Sequence, residues 1–415
     1  MNKKIYKRIL IYLLFFTILF SINYYLEFIK ERIPDNIYVK PGEAESVELN
    51  IPFIGKVDLY KDNKKAVTAS VNMLSPLTIN ANRNESYFAK VKLFGVFTIK
   101  EINVNVKEPQ EVIVAGIPVG IHLETRGVLV VDIGNVVLAD GETQSPSRGI
   151  LRCGDYIMAV NGIDVGTKKE VMENIQKSGD IITLTIMRNK EIITQKIHAV
   201  KDENGQNKIG VWVRDDFQGL GTLTYITADL KYGALGHAIS NSANGEVVNI
   251  KNGYIYTANI WSIVKGKIGN PGELVGSINY GNENYLGEIT KNCNKGIYGN
   301  VDRNIFKYVE NKYIKSVYKQ NVKKGKAFVR TFVDSKIKDY EIEITGLSYS
   351  EKDKNKGIVF EVTSKELMDI TNGIVQGMSG SPIIQDGKII GAVTHVFIND
   401  PSKGYGIFVE NMLEE

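Results

Sequence analysis

The sequence predicts a mainly β protein held by an N-terminal membrane anchor. Three observations carry that expectation. The chain starts with an apolar run, continues with period-two alternation, and ends in a glycine-rich half studded with Asn-Gly pairs. The 415 residues are 43% hydrophobic and 24% charged, a globular balance with room for two or three domains. Net charge is +4, and Lys3, Lys4, Lys7 and Arg8 supply all of it. The remainder balances at zero without a basic stripe, which argues against a nucleic-acid partner.

The chain opens "MNKKIYKRILIYLLFFTILFSINYYLEFIKERIPD". A basic head precedes an apolar run from Ile9 to about Ile22, and Tyr24 and Tyr25 come next, where an aromatic belt sits. The run is short against the ~20 residues of a spanning helix, but the tyrosines and Leu26 extend it. Residues 9–26 are therefore expected in the membrane, within an anchor segment 1–30. A cleaved signal peptide is the competing reading, although the run is not succeeded by a small-x-small site. Either way, the positive-inside rule keeps the head in the cytosol and places the bulk outside.

Residues 31–106 read as a β-rich spacer. "SVELNIPF", "VTASVNML", "SYFAKVKLF" and "FTIKEINVNVK" alternate apolar and polar residues, with turns at Asp62-Asn63, Asn82–Asn84 and Gly95. From 107 to 200 the texture changes. "TKKEVMENIQKSG" predicts a helix with Thr167 as N-cap, Val171, Met172 and Ile175 on one face, and Gly179 at the end. An Asn161-Gly162 turn precedes it. The run Gly149-x-x-x-x-Gly154-Asp155-x-Ile157-x-x-Val160-Asn161-Gly162 and the order of elements resemble a bacterial, permuted PDZ domain. That resemblance implies a groove for β-augmentation by a peptide. Its Gly-hydrophobic loop is matched by Pro118-Val119-Gly120-Ile121, with Ile121 and Leu123 facing the groove; the plain alternative is that Gly120 only makes a turn. His122 reads as a strand-face residue without chemistry.

Residues 210–415 carry short strands and the pairs Asn244-Gly245, Asn252-Gly253 and Asn372-Gly373, which predict a β-barrel or paired barrels. "NIFKYVENKYIKSVYKQ" is a weak helix candidate, and "SEKDKNKG" is a solvated charged loop. Cys153 and Cys293 show no metal-ligand spacing and read as two buried thiols, with a single disulfide as the alternative. HExxH is absent from the four scattered histidines, so neither a metal nor another cofactor is expected.

The chemistry concentrates in "GIVQGMSGSPII". A serine nucleophile needs a base, aimed N–H donors and open space above its Oγ. The amides of Gly377 and Ser379 converge on one point if Gly377 adopts a conformation closed to other residues, and Gly380 keeps the approach clear. Pro382 and a hairpin brace the loop. The pattern G-x-S-G-x-P before an apolar hairpin resembles the nucleophile loop of chymotrypsin-like serine peptidases, which implies a double β-barrel. His237, in "YGALGHAIS" and 142 positions before Ser379, is the candidate base; His395 is the rival.

These motifs, together with "GAVTHVFINDPSKGYGIFVE", "VRDDFQGLGTLTYI" and "GNPGELVGS", resemble the stage IV sporulation protein B peptidases of spore-forming Firmicutes over roughly residues 103–415. The resemblance implies a serine endopeptidase of the forespore–mother-cell intermembrane space. Such enzymes cut themselves near the N-terminus. They then cut an extracytoplasmic part of a membrane complex, which triggers processing of a mother-cell sigma factor. The implied partners are that complex and the chain's own N-terminal segment, with self-cleavage expected between about Glu31 and Pro52. The family's third catalytic residue, an aspartate, falls here on Ser364, which can orient an imidazole but not stabilise its charge. Glu361, Glu366, Asp369 or a water are alternatives, and Asn241 stands where another acid is expected. That departure leaves open a weak or inactive enzyme acting as a PDZ adaptor on the same complex. A β-rich spore-envelope protein would explain the strands but not the glycines around His237 and Ser379.

Overall fold

The computed structural model describes residues 3–47, 55–61, 64–71, 77–80, 87–241 and 244–415. The turns expected at Asp62-Asn63 and Asn82–Asn84, and most of "SVELNIPF", lie outside them. Helix α1 (Lys3–Arg32) contains a stretch, Lys7–Glu31, long and apolar enough to cross a membrane. The C-terminal end of α1 is held by packing and by a hydrogen bond. Ile29 and Ile33 are buried with Ile37, Val57 and Ile102, and the Lys100 ammonium donates to the Lys30 carbonyl at 3.0 Å. These contacts come from a five-stranded sheet in the order 36–39, 97–106, 87–93, 55–61, 64–71. Its edge strand, Asn36–Val39, pairs in parallel with Asn103–Val106.

The rest of the chain is built from β1 (Pro118–Ile133), β2 (Tyr156–Val160), α2 (Lys168–Gln176), β3 (Ile181–Arg188), β4 (Glu191–His198), β5 (Val211–Thr227), β6 (Lys231–Ala234), β7 (Ile250–Val264), β8 (Glu273–Ile278), β9 (Tyr285–Cys293), β10 (Gly296–Val301), β11 (Gly325–Val333), β12 (Lys336–Leu347), β13 (Ile358–Val362), α3 (Lys365–Thr371), β14 (Pro382–Gln385), β15 (Lys388–Phe397), β16 (Asp400–Phe408) and α4 (Val409–Leu413). Two barrels emerge from the antiparallel pairings. The first runs β1-β5-β6-β10-β9-β7 and returns to β1. The second is closed as β11-β12-β13-β16-β15-β14. Counted along the chain, both have one strand order, first-second-third-sixth-fifth-fourth, so each is a Greek-key barrel.

The PDZ-like unit is an excursion of the hairpin that joins the first two barrel strands. β1 pairs with β5 through Asp216↔Glu124 in the barrel and again through Val211↔Ile133 beyond it. Between these points β4, β3 and β2 extend the sheet from the Leu129 end of β1. The unit expected at 107–200 therefore takes in β1, whose barrel pairing with β5 begins at Pro118. Thr167 caps α2 in a full capping box, and Val171 and Ile175 are buried; Met172 points outward instead, and Lys177 rather than Gly179 ends the helix.

Further expectations are corrected. Asn252-Gly253 lies inside β7, where Gly253 sits opposite Leu123 and leaves room for it. The 304–320 segment forms two 3₁₀ turns and the short strand Tyr313–Lys315, with no α-helix. Both cysteines are free, and Cys153 is exposed rather than buried.

Candidate active site

The two barrels meet where β6 ends and the Ser379 loop begins. After Ala234 the chain turns through Leu235 and Gly236, both at positive φ (67° and 71°), and this delivers His237 to the seam. A Cβ on Gly236 would press on Thr394 and Ile407 of the second barrel. A Cβ on Gly380 would strike the Thr222 carbonyl and the Leu235 backbone. Both glycines are thus needed for the barrels to approach. The same approach brings the His237 and His395 rings to 5.1 Å, tilted by 41°.

The loop's main chain can be traced group by group, since every backbone polar group needs a partner or a purpose. The Gln376 carbonyl accepts from Leu274 N–H (2.9 Å), that of Met378 from Ser381 N–H (2.9 Å), and that of Ser379 from Thr222 N–H (2.9 Å). The Gly377 carbonyl accepts from Thr222 Oγ1 (2.8 Å) and that of Gly380 from Thr224 Oγ1 (2.7 Å). The amides of Gln376, Met378, Gly380 and Ser381 donate to Gly272, Val375, Val393 and Met378. The amides of Gly377 and Ser379 have no partner among the described residues. Positive φ at Gly377 (96°) and Gly380 (94°) makes this geometry accessible. Two uncommitted N–H groups beside a partly exposed serine are the kind of donors an oxyanion hole requires.

The Ser379 hydroxyl donates to the Thr394 carbonyl at 2.9 Å. His237 Nδ1 lies 2.9 Å from the carbonyl of Ala238. A carbonyl only accepts, so this contact places the proton on Nδ1 and leaves Nε2 with its lone pair. Burial holds this imidazole below the ordinary value near 6.5, an effect partly offset by the bond to Ala238. His395 is pushed down to about 4, first by burial, then by His237 and Lys356, with Asp353 opposing. Its Nδ1 is buried and has no hydrogen-bond partner among the described residues.

Ser364 is not the residue bonded to His237 Nδ1. It is the N-cap of α3, its Oγ accepting the Leu367 N–H at 3.3 Å. The partner of Nδ1 is the main-chain carbonyl of Ala238, a group invisible to any search for an acid side chain. Glu366, considered as a substitute, pairs with Lys338. Asn241 instead shapes a turn through main-chain bonds with Gly245 and Glu246. "SEKDKNKG" is more than a solvated loop, because the Asn355 carbonyl accepts from Thr394 Oγ1 at 2.6 Å and so braces the strand beside Ser379.

The peptide loop assigned to Gly120, Ile121 and Leu123 is overturned. These residues pair with β5 on one side and β7 on the other, so no edge is open to a peptide. Ile121 and Leu123 are buried in the core of the first barrel. The groove lies elsewhere. It has a volume of about 600 Å³ between α2 and the start of β5, lined by Val171, Met172, Ile175, Ile209, Val211 and Val213. The Gly-hydrophobic loop entering it is Lys208-Ile209-Gly210-Val211, with Gly210 at φ 68°. The same pattern was readable in the sequence there, about 90 residues further on.

Two Greek-key barrels with a glycine-flanked serine and a histidine at their seam define a chymotrypsin-like serine peptidase. The chain matches the SpoIVB peptidase S55 family over residues 205–413 and belongs to that family of sporulation serine peptidases. No curated protein matches it. Among solved structures, the PDZ domain of an SdrC-like protein from Listeria innocua is similar at 23% identity over 21% of this chain and 93% of that domain, with a TM-score of 0.18.

Proposed function

We propose that Ser379 is the nucleophile, His237 the general base, and the Gly377 and Ser379 amides the oxyanion hole of an endopeptidase acting outside the cytosol. The hydrogen bonding of the loop's main chain carries this reading: between Gln376 and Ser381 the two amides suited to the role are the ones left without a partner among the described residues. In the reaction the Ser379 hydroxyl turns from Thr394 toward His237. Oγ adds to the scissile carbonyl while Nε2 takes its proton, and the carbonyl oxygen gathers negative charge between the two amides. The imidazolium returns the proton to the leaving amine as the C–N bond breaks. Water then releases the acyl group by the same path. The Ala238 carbonyl keeps the tautomer, but it is neutral and stabilises the imidazolium less than a carboxylate would. A modest turnover is the consequence.

The substrates are proteins: an extracytoplasmic part of a membrane complex whose cleavage triggers sigma-factor processing, and the chain's own N-terminal segment. The setting is the forespore–mother-cell intermembrane space, with the chain anchored by α1. For self-cleavage the 40–43 turn is the favoured stretch within 31–52, since Gly42 and Glu43 are exposed whereas Asn36–Val39 is paired. The groove beside α2 takes an extended segment of either substrate against the start of β5, whose outer edge faces α2. A fluorophosphonate probe tests the core of this reading. Wild type is expected to be labelled and Ser379→Ala not. Equal labelling of both, or none of wild type, would sink it.

A further inference from the structure

We infer that Thr222 is a positioning residue for the oxyanion hole, acting through its side-chain hydroxyl. The inference rests on the reading of Ser379 as nucleophile. Thr222 is 2% exposed and grips the loop twice. Its Oγ1 donates to the Gly377 carbonyl at 2.8 Å, and its N–H donates to the Ser379 carbonyl at 2.9 Å. The two bonds bracket the Met378–Ser379 peptide, which carries one of the two free amides. They also fall where the loop is softest. Gly377 and Gly380 both sit at positive φ, and glycine turns a peptide plane at little steric cost.

The grip comes from the opposite barrel. Thr222 lies on β5 of the first barrel, while Ser379 precedes β14 of the second. Their bonds therefore hold the hole open only while the barrels are docked. Thr224 repeats the arrangement one strand period later, at the Gly380 carbonyl. Without the Thr222 hydroxyl, the part-buried Gly377 carbonyl loses the donor it has among the described residues and faces an apolar side chain. Its peptide gains by rotating to find another partner, which shifts the neighbouring Gly377 and Ser379 amides from the positions the docked loop gives them.

The test uses the full chain and two pairs that differ only in the hydroxyl, Thr222 against Thr222→Val and Thr222→Ser against Thr222→Ala. Each is monitored by the rate of fluorophosphonate labelling across pH and by thermal unfolding. Labelling joins Ser379 Oγ to phosphorus, expels fluoride, passes the hydroxyl proton to His237 and seats the phosphoryl oxygen in the hole. Val and Ala are expected to slow the plateau rate by about 10–100-fold, at or below the effect of deleting a hole donor outright. The pH midpoint set by His237 should stay in place, and Ser should remain within about threefold of wild type. If Val does not fold, the Ser/Ala pair decides. Labelling of the hydroxyl-free variants at the rate of their partners, or a pH midpoint that moves with the rate, would overturn the inference. Failure of wild type to label would instead overturn the nucleophile assignment, and this with it.

Discussion

Ser379 shows how far single residues can be read. Its flanking glycines are dictated by geometry: Gly380 holds φ at 94°, and a side chain there would meet the Thr222 carbonyl and Leu235. Gly380→Ala should abolish labelling and cost about 1–3 kcal/mol in strain, measured by urea unfolding. The two histidines give a second expectation. Burial disfavours the charged form of His237, so the acid limb of labelling should have its midpoint below 6.5. Activity then persists to lower pH than an exposed histidine would allow. Stability has the same sign. His395 takes up a proton near 6.5 when unfolded but only near 4 when folded, facing His237, Lys356 and Asp353. The unfolded chain binds more protons in that window. Stability should therefore fall as pH drops from 6.5 to 4, by less than about 1.4 kcal/mol per pH unit from this group, because solvent screens a partly exposed imidazole. Urea midpoints of His395→Asn should show a shallower decline. The glycine patterns that single out Ser379 and His237 are written in the sequence itself. The Ala238 carbonyl and the Thr222 hydroxyl are not legible there, since nothing local distinguishes a main-chain acceptor or a strand threonine that acts across a barrel interface.

At the level of elements, local chemistry was legible and pairing was not. The capping box of α2 and the Asn161-Gly162 turn are written within a few residues, and both form. The groove strand was misplaced because alternation reports faces, not edges. Pro118–Leu123 and Lys208–Val213 both join a glycine to apolar neighbours, and only long-range pairing decides which keeps an open edge. Asp155 illustrates a residue whose motif was visible but whose reason was not. It is 1% exposed and accepts Arg188 Nε at 2.7 Å and its Nη2 at 2.6 Å, as well as the Arg152 N–H at 2.9 Å. The pair ties β3 to the turn before β2. Asp155→Ala leaves the guanidinium without its counter-charge and should destabilise the PDZ-like unit by about 3–5 kcal/mol. Hydrogen exchange should report the loss there, with the second barrel keeping its protection.

Across the whole molecule, the apolar helix α1 and the body are joined by packing as well as by chain. Ile29, Ile33, Ile37 and Val39 are all buried with the core of the N-terminal sheet, and Asn36–Val39 adds a registered parallel ladder on 103–106. Tyr38 reaches further, stacking on Tyr318 at 5.8 Å and donating its hydroxyl to Glu414 at 2.8 Å, while Gln320 Nε2 donates to its carbonyl at 2.5 Å. Each of the four apolar side chains is worth about 1.5–3 kcal/mol of burial. The covalent link at the turn that exposes Gly42 and Glu43 adds little to that attachment. Cutting the turn should therefore not separate the body from α1. With a site for a specific protease engineered at 40–43, the cleaved chain in detergent should elute from a sizing column as one species, and a denaturing gel should show two fragments. Ile33→Asp together with Ile37→Asp places two charges in the same core and should release the body after the cut. Dissociation of the unmutated pieces immediately on cleavage would mean that the packing is too weak to hold them. Release from the membrane would then be a direct consequence of proteolysis rather than of a later separation of strands.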